Sequence, residues 1–177
     1  MNPAMATESR SKIRTLDELA VLRERWSEEG RTVVWTNGCF DLLHVGHIRS
    51  FRDAKALGDI LVVGLNSDAS VRSNKGDTRP VVNEADRAEV IAALEMVDYV
   101  TVFDELTPVA ALATLRPDIH CKGAEYADGA RPVPERETVL GYGGQIRFLP
   151  FHPGRSTSKL VNKIRKAMDK KESTCSK

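Results

Sequence analysis

Thr32-Val33-Val34-Trp35-Thr36-Asn37-Gly38-Cys39-Phe40-Asp41-Leu42-Leu43-His44-Val45-Gly46-His47 carries an apolar run, a glycine break and a pair of histidines. Thr32 to Trp35 reads as a buried strand, and Asn37-Gly38 as a tight turn that brings backbone N–H groups close to a ligand. Ile48, Phe51 and Ala54 to Leu57 then give an amphipathic helix that stops at Gly58. A helix start directly after a strand and a glycine turn is an anion-binding geometry, because its unpaired N–H groups and positive dipole end favour phosphate.

His44 and His47 add chemistry to that geometry. Three residues apart near a helix start, they face the same side, and Gly46 between them leaves room for a nucleotide against the backbone. A single histidine on a helix is usually structural. Two of the chain's four histidines in one glycine-bearing turn point instead to donors for charge that builds on a phosphoryl oxygen.

Composition narrows the possibilities. A chain of 177 residues, 41% hydrophobic, is long enough to bury one sizeable core. The net charge of +1 argues against nucleic-acid or membrane-surface binding. Cys39, Cys121 and Cys175 are odd in number and form no C-x-x-C pair, which argues against a disulfide framework or a zinc site and fits a reducing, cytoplasmic setting. Met1 to Lys12 lacks an apolar signal-type core, and no run of eighteen apolar residues occurs, so secretion and membrane spanning are not expected.

Working outward, residues 1–14 are expected to be disordered, 15–169 to form one domain, and 170–177 to fray. Thr15-Leu16-Asp17-Glu18 fits a capping box, followed by a helical stripe of Leu16, Leu19, Leu22 and Trp26 and a stop at Gly30. Ile60 to Leu65 is a second strand, apolar on both faces as a covered parallel strand should be. It ends at Asn66-Ser67-Asp68, where Asp68 can meet a substrate or make a plain Asx-turn. Val71 to Pro80 lacks apolar periodicity and reads as a loop whose Lys75 and Arg79 are either solvated surface charges or part of a basic lid over a triphosphate. Asn83 caps a helix with Asp86 at its third position and Arg87 one turn in, where a guanidinium fork suits phosphate and an intrahelical ion pair is the plain alternative. Tyr99 to Phe103, Ile119 to Lys122 and Gln145 to Leu149 complete a five-stranded, mainly parallel sheet. Helices open at Thr107-Pro108 and Glu135, and Ser156-Thr157 caps a last one, a second anion site after a strand. The expected fold is α/β and Rossmann-like, with ligands at the carboxyl ends of the strands.

From about Arg31 to Arg165 the sequence resembles the nucleotidyltransferase superfamily with its His-x-Gly-His signature. Its wording is closest to the adenylyltransferases that act on D-glycero-β-D-manno-heptose 1-phosphate. The resemblance rests on Thr36 to His47, Leu57-Gly58-Asp59, Asn66-Ser67-Asp68, Lys75-Gly76, Arg79-Pro80-Val81, Val97-Asp98, Thr107-Pro108, Pro117-Asp118, Lys122-Gly123 and Ser156-Thr157. It implies transfer of AMP from ATP to a sugar 1-phosphate, with release of pyrophosphate and formation of ADP-heptose for lipopolysaccharide. His44, His47 and Lys75 would be catalytic. Thr36, Asn37, Gly38, Phe40, Gly46, Arg87, Lys122, Ser156 and Thr157 would join the histidines in binding nucleotide, and Asp41 and Asp68 would meet the acceptor. For Asp41, bracing the turn is an equal alternative. Similar enzymes use Mg²⁺ with the triphosphate, are commonly homodimers and are often fused to a sugar kinase, which 177 residues leave no room for. The resemblance therefore implies a separate heptose 7-phosphate kinase.

Two departures bear on specificity. The family's Gly-Asp-Tyr after Lys-Gly is Ala124-Glu125-Tyr126 here, and the Thr-Glu-Gly that cytidylyltransferases carry before their serine is replaced by Pro153-Gly154-Arg155, which favours ATP over CTP. The alternatives are a cytidylyltransferase acting on glycerol 3-phosphate or a similar alcohol phosphate, and a nucleotide-binding regulator without activity.

Overall fold

The computed structural model describes residues 10–129, 131–150, 157, 160, 161, 163, 164, 166 and 167. Five strands, β1 (Val33–Gly38), β2 (Ile60–Asn66), β3 (Tyr99–Phe103), β4 (Ile119–Gly123) and β5 (Gln145–Leu149), form one sheet in the order β3-β2-β1-β4-β5. Every pairing is parallel. The chain winds outward from β1 to β3, then crosses back to β4 on the other side of β1. The strand order therefore reverses between β1 and β4, and the crevice at their carboxyl ends is the site that such sheets offer a ligand.

Alternation along the strands divides the core into two layers. Val34, Leu61, Val63 and Leu65 pack on Phe51 and Ala54 of α2 (Val45–Lys55) and on Ala88, Ile91 and Ala92 of α4 (Glu84–Ala92). Val33, Trp35, Ile60 and Val62 face the other way, onto Leu19 and Trp26 of α1 (Leu16–Glu28), Leu112 and Leu115 of α5 (Val109–Leu115) and Val139 of α6 (Arg136–Gly141). Gly64 sits where any Cβ would collide with the indole of Trp35, so this strand position has to be bare. Thr15 caps α1 in a full capping box and Asn83 caps α4 through the Asp86 amide, as their spacing predicts.

Two expectations require correction. Residues 12–14 are not disordered. Val100 N donates to Lys12 O at 2.9 Å, Arg14 N donates to Val100 O at 2.9 Å, and Lys12 Nζ reaches Val97 O at 2.9 Å. The segment lies along β3, whose outer edge would otherwise expose unpaired backbone groups. Nor is Val71 to Pro80 a loop throughout, because Asp68–Lys75 forms α3, capped by Ser67 through the Ser70 amide. Only Ser70 and Val71 of this helix are buried. One turn of contact suffices to hold it, which is why no apolar period marks it in the sequence. The tail 170–177 lies outside the described residues.

Candidate active site

The turn after β1 is built differently from its sequence signal. Asn37 and Gly38 still belong to the strand, and the left-handed residue is Phe40, at φ 41°. Its ring folds back over Gly38, where an added Cβ would lie 3.1 Å from the ring, so glycine makes room for a side chain of its own turn. The same ring packs edge-on against His47, with centroids 5.3 Å apart, and against Phe51 at 4.9 Å. Phe40 thus braces a histidine as well as bordering the cleft.

His44 is the N-cap residue of α2, and its carbonyl accepts the His47 amide at 2.9 Å. The two imidazoles stack with centroids 3.8 Å apart and planes 18° apart. Burial, together with the neighbouring His44, pushes the His47 pKa down to about 4. His47 is therefore a neutral hydrogen-bond donor near pH 7, not an imidazolium. Its Nδ1 is buried without a hydrogen-bond partner among the described residues, and the residue borders the cleft described below. Gly46 is buried in the first turn of α2 between them, and its carbonyl accepts from Ser50 Oγ.

A cleft of about 680 Å³ opens at the carboxyl ends of β1 and β4. Thr36, Asn37, Gly38 and His47 form one wall, Lys75 and Arg79 a second, and Lys122 a third. Thr157 also borders it, its Oγ1 donating to Leu42 O at 3.3 Å, which ties Thr157 to the histidine turn. Ser156 lies outside the described residues. A second cavity, about 520 Å³, sits at the opposite, amino-terminal edge near Arg23 and Asp118. Those two groups already pair with each other at 2.8 Å, so the carboxyl-end cleft is the better candidate.

Three residues expected to meet a ligand have partners within the protein. Arg87 is buried with its guanidinium nearly saturated: Nε donates to Val82 O at 2.9 Å, Nη1 to Cys39 O, and Nη2 to Asn66 O at 3.0 Å and Asp68 Oδ1 at 2.7 Å. It clamps the β1 and β2 ends together and does not border the cleft. Asp68 pairs with Arg87, its side chain 23% exposed. Asp41, 4% exposed at the cleft, accepts from Arg79 Nε and from the amides of Val81 at 2.8 Å and Val82 at 3.0 Å, contacts that brace the turn.

On the far wall, Lys122 Nζ donates to Glu135 Oε1 at 2.7 Å and lies 4.5 Å from the Tyr126 ring centroid. Glu135 is fully buried, and the same oxygen meets His120 Nε2 at 2.9 Å. Burial would raise the Glu135 carboxyl, but hydrogen bonds from His120 and Lys122 hold it at about 2. Burial keeps His120 below its ordinary range despite that bond. The group is therefore an ionised carboxylate with one cation and one neutral imidazole donor. The sequence reading missed Glu135 and His120. A histidine inside the apolar run Ile119-His120-Cys121 was the available signal, since a buried polar side chain must find a partner.

No three His, Cys, Asp or Glu side chains converge as a metal cage among the described residues. Asp41 and Glu135, both at the cleft, are already committed to cations. The residues present do not fit a protein-held metal. Both described thiols are raised, Cys39 by burial that outweighs nearby Lys75, Arg87 and Arg79, and Cys121 by burial to about 12. Neither is a thiolate nucleophile at neutral pH.

The family described as cytidylyltransferase-like matches residues 35–171, from the middle of β1 to beyond the last described residue. The chain belongs to that nucleotidyltransferase family. Among relatives of this nucleotidyltransferase domain, the bifunctional protein HldE of Citrifermentans bemidjiense is 51% identical over 159 residues, 90% of this chain and 32% of the relative. HldE of Campylobacter fetus is 49% identical over 154 residues, 87% of this chain and 31% of that one. The domain thus spans about a third of the length of these curated relatives. A lipopolysaccharide core biosynthesis protein from Thermoplasma volcanium superposes with a TM-score of 0.56 at 28% identity, covering 70% of this chain and 98% of that one. Pantoate-β-alanine ligase from Francisella tularensis superposes at 0.59 with 14% identity over 82% of this chain and 68% of its own, which shows a shared fold. Among the described residues, no helix is long and apolar enough to cross a membrane.

Proposed function

We propose that this nucleotidyltransferase domain moves AMP from ATP to D-glycero-β-D-manno-heptose 1-phosphate, giving ADP-heptose and pyrophosphate. The observation that carries the reading is the neutral His47, stacked on His44 and bordering a cleft shared with Lys75, Arg79 and Lys122. The HldE names of relatives near 50% identity support the heptose acceptor. An oxygen of the acceptor phosphate attacks the α-phosphorus, the bond to the β-phosphate oxygen breaks, and pyrophosphate leaves with the electron pair. Because the attacking oxygen is already anionic, catalysis rests on alignment and on donors aimed at developing charge. Thr36 and the strand end at Asn37-Gly38 line the α-phosphate position, His47 donates to it, and Lys75 covers the leaving end. Mg²⁺ enters as part of the metal–nucleotide substrate. A kinase-type reaction must supply the sugar 1-phosphate, and a homodimer belongs to the same proposal.

Pyrophosphate release tests this with ATP, CTP, GTP and UTP crossed against heptose 1-phosphate, mannose 1-phosphate and glycerol 3-phosphate. Turnover confined to ATP with heptose 1-phosphate is expected. A preference for CTP with an alcohol phosphate would replace the substrate reading, and no turnover with any pair would favour a binding protein.

A further inference from the structure

We propose that Arg79 is a phosphate-binding residue of the cleft, its guanidinium aimed by Asp41 at the leaving end of the nucleotide. The inference rests on the nucleotidyl-transfer reading and assigns a ligand contact that the sequence placed at Arg87.

Arg79 and Arg87 are opposites in what they leave unused. Arg87 is enclosed, its side chain without exposure, and four of its five donors go to protein acceptors. Arg79 keeps 16% exposure at the cleft wall and commits only Nε, to Asp41 Oδ2. Its two terminal nitrogens have no protein acceptor among the described residues. A carboxylate bound along one edge of a guanidinium fixes the plane and leaves the opposite edge as a fork that matches two phosphoryl oxygens.

Asp41 is suited to that positioning task. Its side chain is 1% exposed, and its other oxygen is held by the amides of Val81 and Val82, so it cannot swing to follow the arginine. Lys75 lies four residues earlier and borders the same cleft from the end of α3. A fork and a flexible point charge from adjoining positions suit a pyrophosphate group, which offers several oxygens over a few ångströms.

The test is calorimetric binding of inorganic pyrophosphate to the purified chain and to its Arg79→Lys and Arg79→Gln variants, with melting temperature recorded for each. Both variants are expected to bind pyrophosphate at least roughly tenfold more weakly, Arg79→Lys at a melting temperature close to that of the parent and Arg79→Gln at a lower one, since it leaves the buried Asp41 without its cation. Arg79→Lys keeps the charge and can keep the Asp41 contact, so it decides the matter if Arg79→Gln fails to fold. Full affinity in Arg79→Lys would overturn the inference, as would a parent chain that does not bind pyrophosphate. A raised KM for the acceptor with pyrophosphate affinity unchanged would also overturn it, by assigning Arg79 to the acceptor phosphate. This measurement needs no turnover, so it can succeed even where the heptose acceptor proves wrong.

Discussion

His44 and His47 lie face to face, ring centroids 3.8 Å apart, and only the second borders the cleft. His47→Ala is expected to lower turnover about a hundred- to a thousand-fold, the usual cost of one transition-state donor. Single-turnover pyrophosphate release is the measurement. His44→Ala should cost less, since it removes the surface on which His47 rests.

The depressed pKa of His47 has a definite sign in stability. Its ordinary value is 6.5 and its folded value about 4, so the unfolded chain binds a proton that the folded one refuses. Nothing is contributed above pH 6.5. Stability is lost as pH falls from about 6.5 toward about 4. Urea midpoints from pH 7.5 to 4.5 should fall less steeply in His47→Gln than in the parent chain.

Arg87 is a structural clamp, and its removal should show as lost stability. Arg87→Ala leaves Asp68 and the carbonyls of Cys39, Val82 and Asn66 without their donor. A loss of about 3–5 kcal/mol in urea unfolding is expected, as for breaking a buried ion pair. An Arg87→Ala protein of parent-like stability but weakened ATP binding would restore the phosphate role.

Glu135 holds Lys122 in place from inside the protein. Its folded carboxyl, at about 2, lies below the ordinary 4.5, so its contribution is present above pH 4.5 and is lost as pH falls through about 2. Glu135→Gln should therefore be destabilised at pH 7, with the gap to the parent narrowing at pH 3. Chemical unfolding at both pH values measures it. The variant should also raise the KM for nucleotide by loosening Lys122, whereas Glu135→Asp should recover part of that loss.

Much of the fold was legible because it depends on local rules. Tyr99–Phe103 and Gln145–Leu149 follow directly from their strand patterns, and the caps at Thr15 and Asn83 from side-chain geometry within four residues. The site was legible where its residues are neighbours in sequence, as with His44 and His47. It was not legible at Arg87 and Asp68. Both Arg79 and Arg87 offer a guanidinium in sequence, and that Arg87 turns inward depends on Cys39 O and Asn66 O, 48 and 21 residues away from it. Long-range acceptors leave no periodicity to read. Helix α3 was missed for a related reason, since a helix held by one turn of contact shows no stripe.

Asp41 holds Arg79 and the amides of Val81 and Val82 while itself belonging to the turn that carries the histidines. The segment after α3 and the histidine turn are thus mechanically one piece, hinged on a single buried carboxylate. A ligand that pulls on Arg79 pulls on Asp41, three residues before His44 and four before the helix begins at Val45, so occupancy at one end of a triphosphate is felt as tension at the other. Alignment of the reacting phosphorus then becomes a property of the loaded cleft, set by how firmly its far end is gripped.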